Sequence, residues 1–291
     1  MKRQDYSTDK RASLILEGGN VEIVRDELGP WSIIKLEIMQ KYADAYGKIM
    51  NRFRLHPVYI DGFSGCGNQV DRTTGEPVEG SPLRALAIKP GFEEFHFIDI
   101  DGGKLDTLRS AVGSRANVFL YNEDANQALL RIIPTVRRPA YKRALCVLDP
   151  YGLDVDWMVL VAAAKQRTVE IFFNFSIMDI NRNILRRDRD TVNQKQHDRM
   201  MRAWGDDSWQ EELFSTDSNL FGDLEKVDNW TVAKAFQKRL HDVAGFDYVP
   251  EPVAMKNSKN AALYFWFFAS QNATGAKIAK DIFKHYTDKG G

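Results

Sequence analysis

Four short clusters in this chain carry residues whose types and spacing could do chemistry. They are DGFSGCG (61–67), DID (99–101), NEDAN (122–126) and DPYG (149–152), each closing a short apolar run. In the first, glycines let the backbone turn without Cβ atoms, so that a ligand can lie against Phe63, Ser64, Gly65 and Gly67. The spacing is not the G-x-G-x-x-G of a pyrophosphate-binding turn. An acid just ahead of the glycines is also poorly placed against phosphates. Asp61 suits an ammonium or hydroxyl-bearing group, which among nucleoside cofactors favours S-adenosylmethionine, with its ammonium and sulfonium, over NAD. A glycine-rich turn with only a packing role is the plain alternative.

The later clusters extend that expectation. Asp99 and Asp101 stand at the carboxyl end of a β-rich run, where ligands bind in open parallel sheets. A carboxylate there can accept both ribose hydroxyl hydrogens, Asp99 ahead of Asp101, or either acid can simply cap a helix. Asp124 can accept from an adenine amino group while Ala125 donates its backbone N–H; a cap is again the alternative. Asp149 and the Pro150 carbonyl offer two acceptors for the hydrogens of an amine, which would free its lone pair for attack. Tyr151 could stack on a base, or the group could be a proline turn ending a buried strand.

These clusters need elements to hold them. Apolar positions at steps of three and four in IIKLEIMQKYADAYGKIM predict an amphipathic helix. From Pro57 onward, β-rich runs at 58–60, 94–100, 117–121, 144–149 and 169–175 alternate with helical spacers. That order predicts a doubly wound, Rossmann-like α/β fold with a mostly parallel sheet. PVAMKNSKNAALYFWFF adds two strands joined by NSKN, ahead of a closing helix from about Thr274. The total is seven strands, the sheet of class I methyltransferases, whose last strand runs antiparallel. The expected organisation is an N-terminal arm and helix (1–50), a cofactor-binding core (51–180), a helical insertion for substrate or partner (181–245) and a closing strand pair with helix (246–291).

Composition narrows the classes. The 291 residues hold 40 Lys and Arg against 40 Asp and Glu, so no global basic field marks a nucleic-acid binder. The polar start and the two cysteines, Cys66 and Cys146, lead us to expect a cytoplasmic protein with reduced thiols. The longest apolar stretch, 261–270, is too short to span a membrane as a helix. No HExxH, paired CxxC or G-x-S-x-G occurs, which leaves metal hydrolysis and a serine triad without a motif and no metal expected.

DPYG resembles the Asp/Asn-Pro-Pro-aromatic tetrad of amino-group methyltransferases, although it lacks the second proline and its aromatic stands one place early. That variant is closer to the form in tRNA guanine methyltransferases acting on the exocyclic amine. From about 28 to 286 the chain resembles the three-Cys-motif partner (TcmP) proteins, through GPW…KLEIMQKY, YIDGFSGCG, FHFIDID, VLDPYG, FFNFS and LYFWFFAS. The resemblance implies a methyltransferase-like fold and a three-cysteine, radical-SAM-like protein as a possible partner. Two functions are carried forward: methyl transfer to an exocyclic nucleobase amine in RNA or DNA, and a non-catalytic or partner-dependent binding subunit on the same fold. Nucleic acid would meet Arg182, Arg186 and Arg187 in the basic run 181–202, where interleaved aspartates also allow a solvated helix. Asn174 would line the substrate pocket or satisfy a neighbouring backbone group, and the acidic stretch after 203 would form a protein contact or lid.

Overall fold

The computed structural model describes residues 11–14, 23–185, 193–218, 224–257 and 260–287. The chain opens with β1 (Arg11–Leu14) and β2 (Ile23–Leu28), followed by α1 (Pro30–Arg52). The core then alternates: β3 (His56–Asp61), β4 (Asn68–Asp71), β5 (Pro77–Glu79), α2 (Ser81–Ala87), β6 (Glu94–Ile98), α3 (Gly102–Val112), β7 (Val118–Tyr121) and α4 (Ala125–Ile132). It continues with β8 (Lys142–Leu148), α5 (Trp157–Gln166), β9 (Val169–Phe175), α6 (Ile177–Asn183), α7 (Gln194–Trp204) and α8 (Trp209–Glu212). Last come β10 (Phe214–Ser218), β11 (Leu224–Lys226), α9 (Asn229–Asp242), β12 (Val253–Lys256), β13 (Ala262–Ala269) and α10 (Ala273–Thr287).

The main sheet has seven strands in the order β12-β13-β9-β8-β3-β6-β7. β3, β6, β7, β8 and β9 pair in parallel, and β13 runs antiparallel to both of its neighbours. Renumbered by their order within this sheet alone, the strands read 6-7-5-4-1-2-3, with the reversed strand inserted last. This is the expected class I methyltransferase architecture.

Helices cover both faces, so the central strands are apolar along their length instead of alternating. All seven residues of β9 are buried. Its Phe173 and Phe175 pack with Leu160, Phe236 and Trp204 on one face, while Phe172 packs with Tyr42, Trp266 and Phe283 on the other. Phe172 stacks on Trp266 at 5.6 Å and meets Tyr42 edge-on at 5.2 Å, joining the sheet to α1. Pro30 starts α1 at the position where its missing N–H costs nothing.

Two expectations change. The N-terminal segment is not a loose arm throughout, because β2 pairs in parallel with β4 and β1 pairs with β2 in a small four-stranded sheet. The acidic stretch after 203 is not a free lid in its described part. Trp204 and Trp209 are buried, and Asp206 pairs with Arg239 of α9, whose guanidinium also lies over the rings of Trp157 and Trp204. Residues 219–223 of that stretch lie outside the described part. Among the described residues, no helix is long and apolar enough to cross a membrane.

Because Phe172 bridges sheet and helix with no polar atom to lose, Phe172→Ala should lower stability by about 3–5 kcal/mol. Urea denaturation with an unchanged slope checks this; a loss under about 1 kcal/mol would mean that the stack contributes little.

Candidate functional site

A cavity of about 1530 Å³ opens where the parallel strands end. Its floor comes from the loops after β3, β6 and β8 and from Asn174 at the end of β9. Its far wall comes from α1, through Trp31, Lys35 and Met39, and from β13, through Leu263, Tyr264 and Trp266.

In the glycine loop, Phe63, Ser64 and Gly65 line the cavity. Gly65 has φ +62°, a backbone state that favours glycine. Ser64 turns its hydroxyl away to donate to the Ile98 carbonyl at 3.1 Å. Asp61 and Gly67 do not line the cavity. Asp61 is fully buried beneath the loop, accepting from Tyr59 Oη at 3.4 Å and the Phe63 amide at 3.2 Å. Burial pushes its carboxyl up to about 7, against hydrogen bonds from Ser81 and Phe63. It therefore shapes the turn from below, and does not meet a ligand's ammonium as the sequence suggested. Gly67 has φ +78°, and a Cβ there would stand 2.7 Å from Leu108 Cδ1, so its role is close packing.

Asp99 fastens two loops together. Its Oδ2 accepts from the Gly65 amide at 2.9 Å, and its Oδ1 accepts from the Asp101 amide at 2.8 Å. Burial raises its carboxyl above the ordinary value, opposed by these two amides. A carboxylate offers about four acceptor directions, so two remain for hydroxyl groups. Asp101 caps α3, accepting from the Gly103 and Lys104 amides, and Asp124 caps α4, accepting from the Gln127 amide. Both still line the cavity, as does Ala125.

The DPYG loop lies on the same cavity, and its principal partner is a residue the sequence reading passed over. Lys35 Nζ, on the buried face of α1, donates to both oxygens of Asp149 at 2.5 and 2.7 Å. The ammonium also lies 5.4 Å from the Tyr264 ring and 5.5 Å from the Trp266 ring. One signal was available: Lys35 falls on the helical stripe of Ile38, Met39 and Tyr42, where a cation must find a buried partner. Tyr151 is exposed, and its hydroxyl accepts from Lys104 Nζ at 3.0 Å. Asn174 Nδ2 donates to the Pro150 carbonyl at 3.4 Å.

Gly152 explains the end of the motif, because a Cβ there would overlap Arg199 Nη2 and Asp179 Oδ2. Asp179 accepts from the Leu153 amide at 3.0 Å and from Arg199 at 2.9 Å, pinning the loop to α6 and α7. Arg199 also pairs with Asp154, and Arg202 with Asp156. Arg199 is thus engaged by two carboxylates, whereas the Arg202 side chain stays largely exposed. Arg182 lines the cavity; Arg186 and Arg187 lie outside the described residues. Among the described residues, no group of three or more His, Cys, Asp or Glu could hold a metal ion.

Fold and site together define a doubly wound α/β protein of the class I methyltransferase type. No family model matches the chain, and no curated protein matches it. Among solved structures it is similar to protein LPL1258 of Legionella pneumophila, of family-model DUF519, with a TM-score of 0.49 and 12% identity over 90% of this chain and 94% of that one. It is also similar to an S-adenosylmethionine dependent methyltransferase from Mesorhizobium loti, with a TM-score of 0.35 and 12% identity over 74% of this chain and 90% of that one. The fold assignment rests on the strand order and not on these likenesses.

The state of Asp61 yields a pH prediction. Its carboxyl titrates near 3.8 when unperturbed and near 7 in the fold, so the folded chain holds an extra proton between those values. Stability from this group is full below the lower value and falls as pH rises through the window. Asp61→Asn should narrow the difference in urea midpoint between acidic and alkaline buffer. Glu170, buried and also raised to about 7, keeps part of that slope in the variant. A pH dependence untouched by the substitution would contradict the buried, protonated Asp61.

Proposed function

We propose that the protein is an S-adenosylmethionine-dependent methyltransferase acting on an exocyclic amino group of a nucleobase in RNA or DNA. The observation that carries this reading is that Gly65, Asp99 and Asp124 share one cavity with Asp149, Pro150 and Asn174. The residues present fit the cofactor. Gly65 supplies a Cβ-free edge, Asp99 retains acceptor capacity for ribose hydroxyls, and Asp124 with Ala125 suits an adenine edge. Phe63 and Ser64 line the same side. Gln69, Asn174 and Trp266, which line the cavity, each carry a buried polar atom without a protein partner.

S-adenosylmethionine supplies an electrophilic methyl group when bound. Everything else falls to the chain. An exocyclic amine is a weak nucleophile because its lone pair is delocalised into the base. The carboxylate of Asp149 and the carbonyl of Pro150 accept its hydrogens and orient it. Lys35 acts on Asp149 and not on the base, fixing the carboxylate plane while leaving lone pairs on each oxygen for the amine. Tyr151, steadied by Lys104, offers an aromatic face at the cavity mouth.

One observation favours the rival reading, in which the same fold serves as a partner-dependent subunit, as the TcmP resemblance implies. Arg199 spends its charge on Asp154 and Asp179, which weakens a direct grip on a phosphate backbone. The two readings separate by labelled methyl transfer from S-adenosylmethionine onto mixed RNA and DNA. The enzyme reading expects incorporation that falls by roughly 100-fold or more in Asp149→Ala. Lys35→Met should fall by roughly 10-fold or more, because the carboxylate is then present but unfixed. Cofactor binding without transfer to any nucleic acid would support the subunit reading.

A further inference from the structure

A second concentration of functional side chains lies at the opposite end of the sheet, where the parallel strands begin. Segments 52–54 and 137–141 lead into β3 and β8, neighbouring strands that set His56 opposite Lys142. The His56 amide donates to the Tyr141 carbonyl at 3.1 Å, so the two loops lie side by side. They carry Arg52, Arg54, Arg137 and Arg138, all exposed, and Arg143 stands half-buried at the start of β8. Burial, and then the charge of nearby Arg138, hold the Arg143 guanidinium below its ordinary value. Among the described residues, none of these five arginines forms an ion pair with a carboxylate. The acids at the start of neighbouring β6 are already matched, Glu93 by His56 and Glu94 by Lys142 and His96.

Two large aromatic rings stand among these arginines. Phe53 is 65% exposed, with the Arg52 guanidinium 5.9 Å from its ring, and Tyr141 is 63% exposed. Arg54 and Tyr141 also hold φ of +52° and +56°, a state that residues with a Cβ rarely take. Unpaired arginines alone would suit any anion. The rings select further: phosphates take the guanidinium groups, and unpaired bases stack on flat rings and guanidinium planes. An acidic peptide offers no such faces, and a duplex hides its base faces within its own stack. The balanced total charge conceals this patch, since Asp99, Asp101, Asp124, Asp149 and Asp154 line the cavity at the other end.

We propose that this arginine and aromatic patch is a binding surface for single-stranded nucleic acid, separate from the cavity. It goes beyond the methyltransferase reading and stands without it. The seven residues of β8 set the two regions about 23 Å apart. A single nucleotide cannot touch both, whereas a strand of many nucleotides can.

The test is fluorescence anisotropy of the full chain with labelled oligonucleotides of about 20 residues, longer than an expected site of about 4–16 nucleotides. The probes are single-stranded RNA, single-stranded DNA, a DNA duplex and a polyglutamate peptide. At least one single strand should bind about 10-fold or more tightly than the duplex or the peptide. Its affinity should fall with salt at a logarithmic slope of about −2 to −3, as about three or four phosphate contacts require. Replacing Arg137→Glu together with Arg138→Glu should weaken binding about 10-fold or more and flatten that slope. Phe53→Ala should weaken it severalfold and leave the slope unchanged, because a ring stacks and does not release counterions. These positions are exposed, and an unchanged urea midpoint checks that the variants fold. The comparison of probes on the wild-type chain needs no variant. No single-strand binding at low salt, a duplex or peptide bound as tightly, or indifference to the substitutions overturns the proposal. Any of these results leaves the cavity reading standing, and absence of methyl transfer bears on the cavity alone.

Discussion

The arrangement of the site depends on the ion pair between Lys35 and Asp149. It joins a helix that precedes the sheet to the end of its central strand β8, across 114 residues of sequence. Lys35 is buried beneath Tyr264 and Trp266 of the reversed strand β13, so three distant parts of the chain meet at one ammonium. Taking a lysine out of water is expensive unless a carboxylate meets it, and removing either partner leaves a charge poorly compensated. The pair therefore sets the position of α1 against the strand ends and closes the far wall of the cavity. It also holds the acid that would receive the substrate amine.

Carboxylates in this cavity serve the fold and the site together. Asp99 ties the glycine loop to the start of α3, and Asp101 and Asp124 cap the helices that follow their strands. Capping leaves an acid facing the strand ends with lone pairs to spare, so a helix start and a ligand contact are compatible in one residue. Asp61 is different. Fully enclosed, it has no room for a ligand and works by holding the Phe63 amide. The DPYG loop is braced from outside by Asp179 and Arg199, whose side-chain ends a Cβ at position 152 would displace.

The sheet was legible because its signals are local. Apolar runs bounded by acids and glycines located β3, β6, β7, β8 and β9 within a few residues, and β9 fell on 169–175 as read. The NSKN turn likewise placed β12 and β13. What stayed hidden depends on contacts far apart in sequence. Nothing near Lys35 names Asp149, and nothing near β2 names β4 as its partner. Spacing alone also could not separate Gly65, which faces the cavity, from Gly67, which packs on Leu108. Nor does anything near Arg199 name Asp154 and Asp179, the acids it pairs with.

The central claim is that the loops after β3 and β6 form a site for S-adenosylmethionine. Calorimetric titration of the purified chain with S-adenosylhomocysteine, beside the Asp99→Ala variant, tests it most directly. The account predicts one-to-one micromolar binding by the wild type and its loss in the variant. Absence of binding by the wild type at millimolar ligand, or binding indifferent to Asp99, would contradict it.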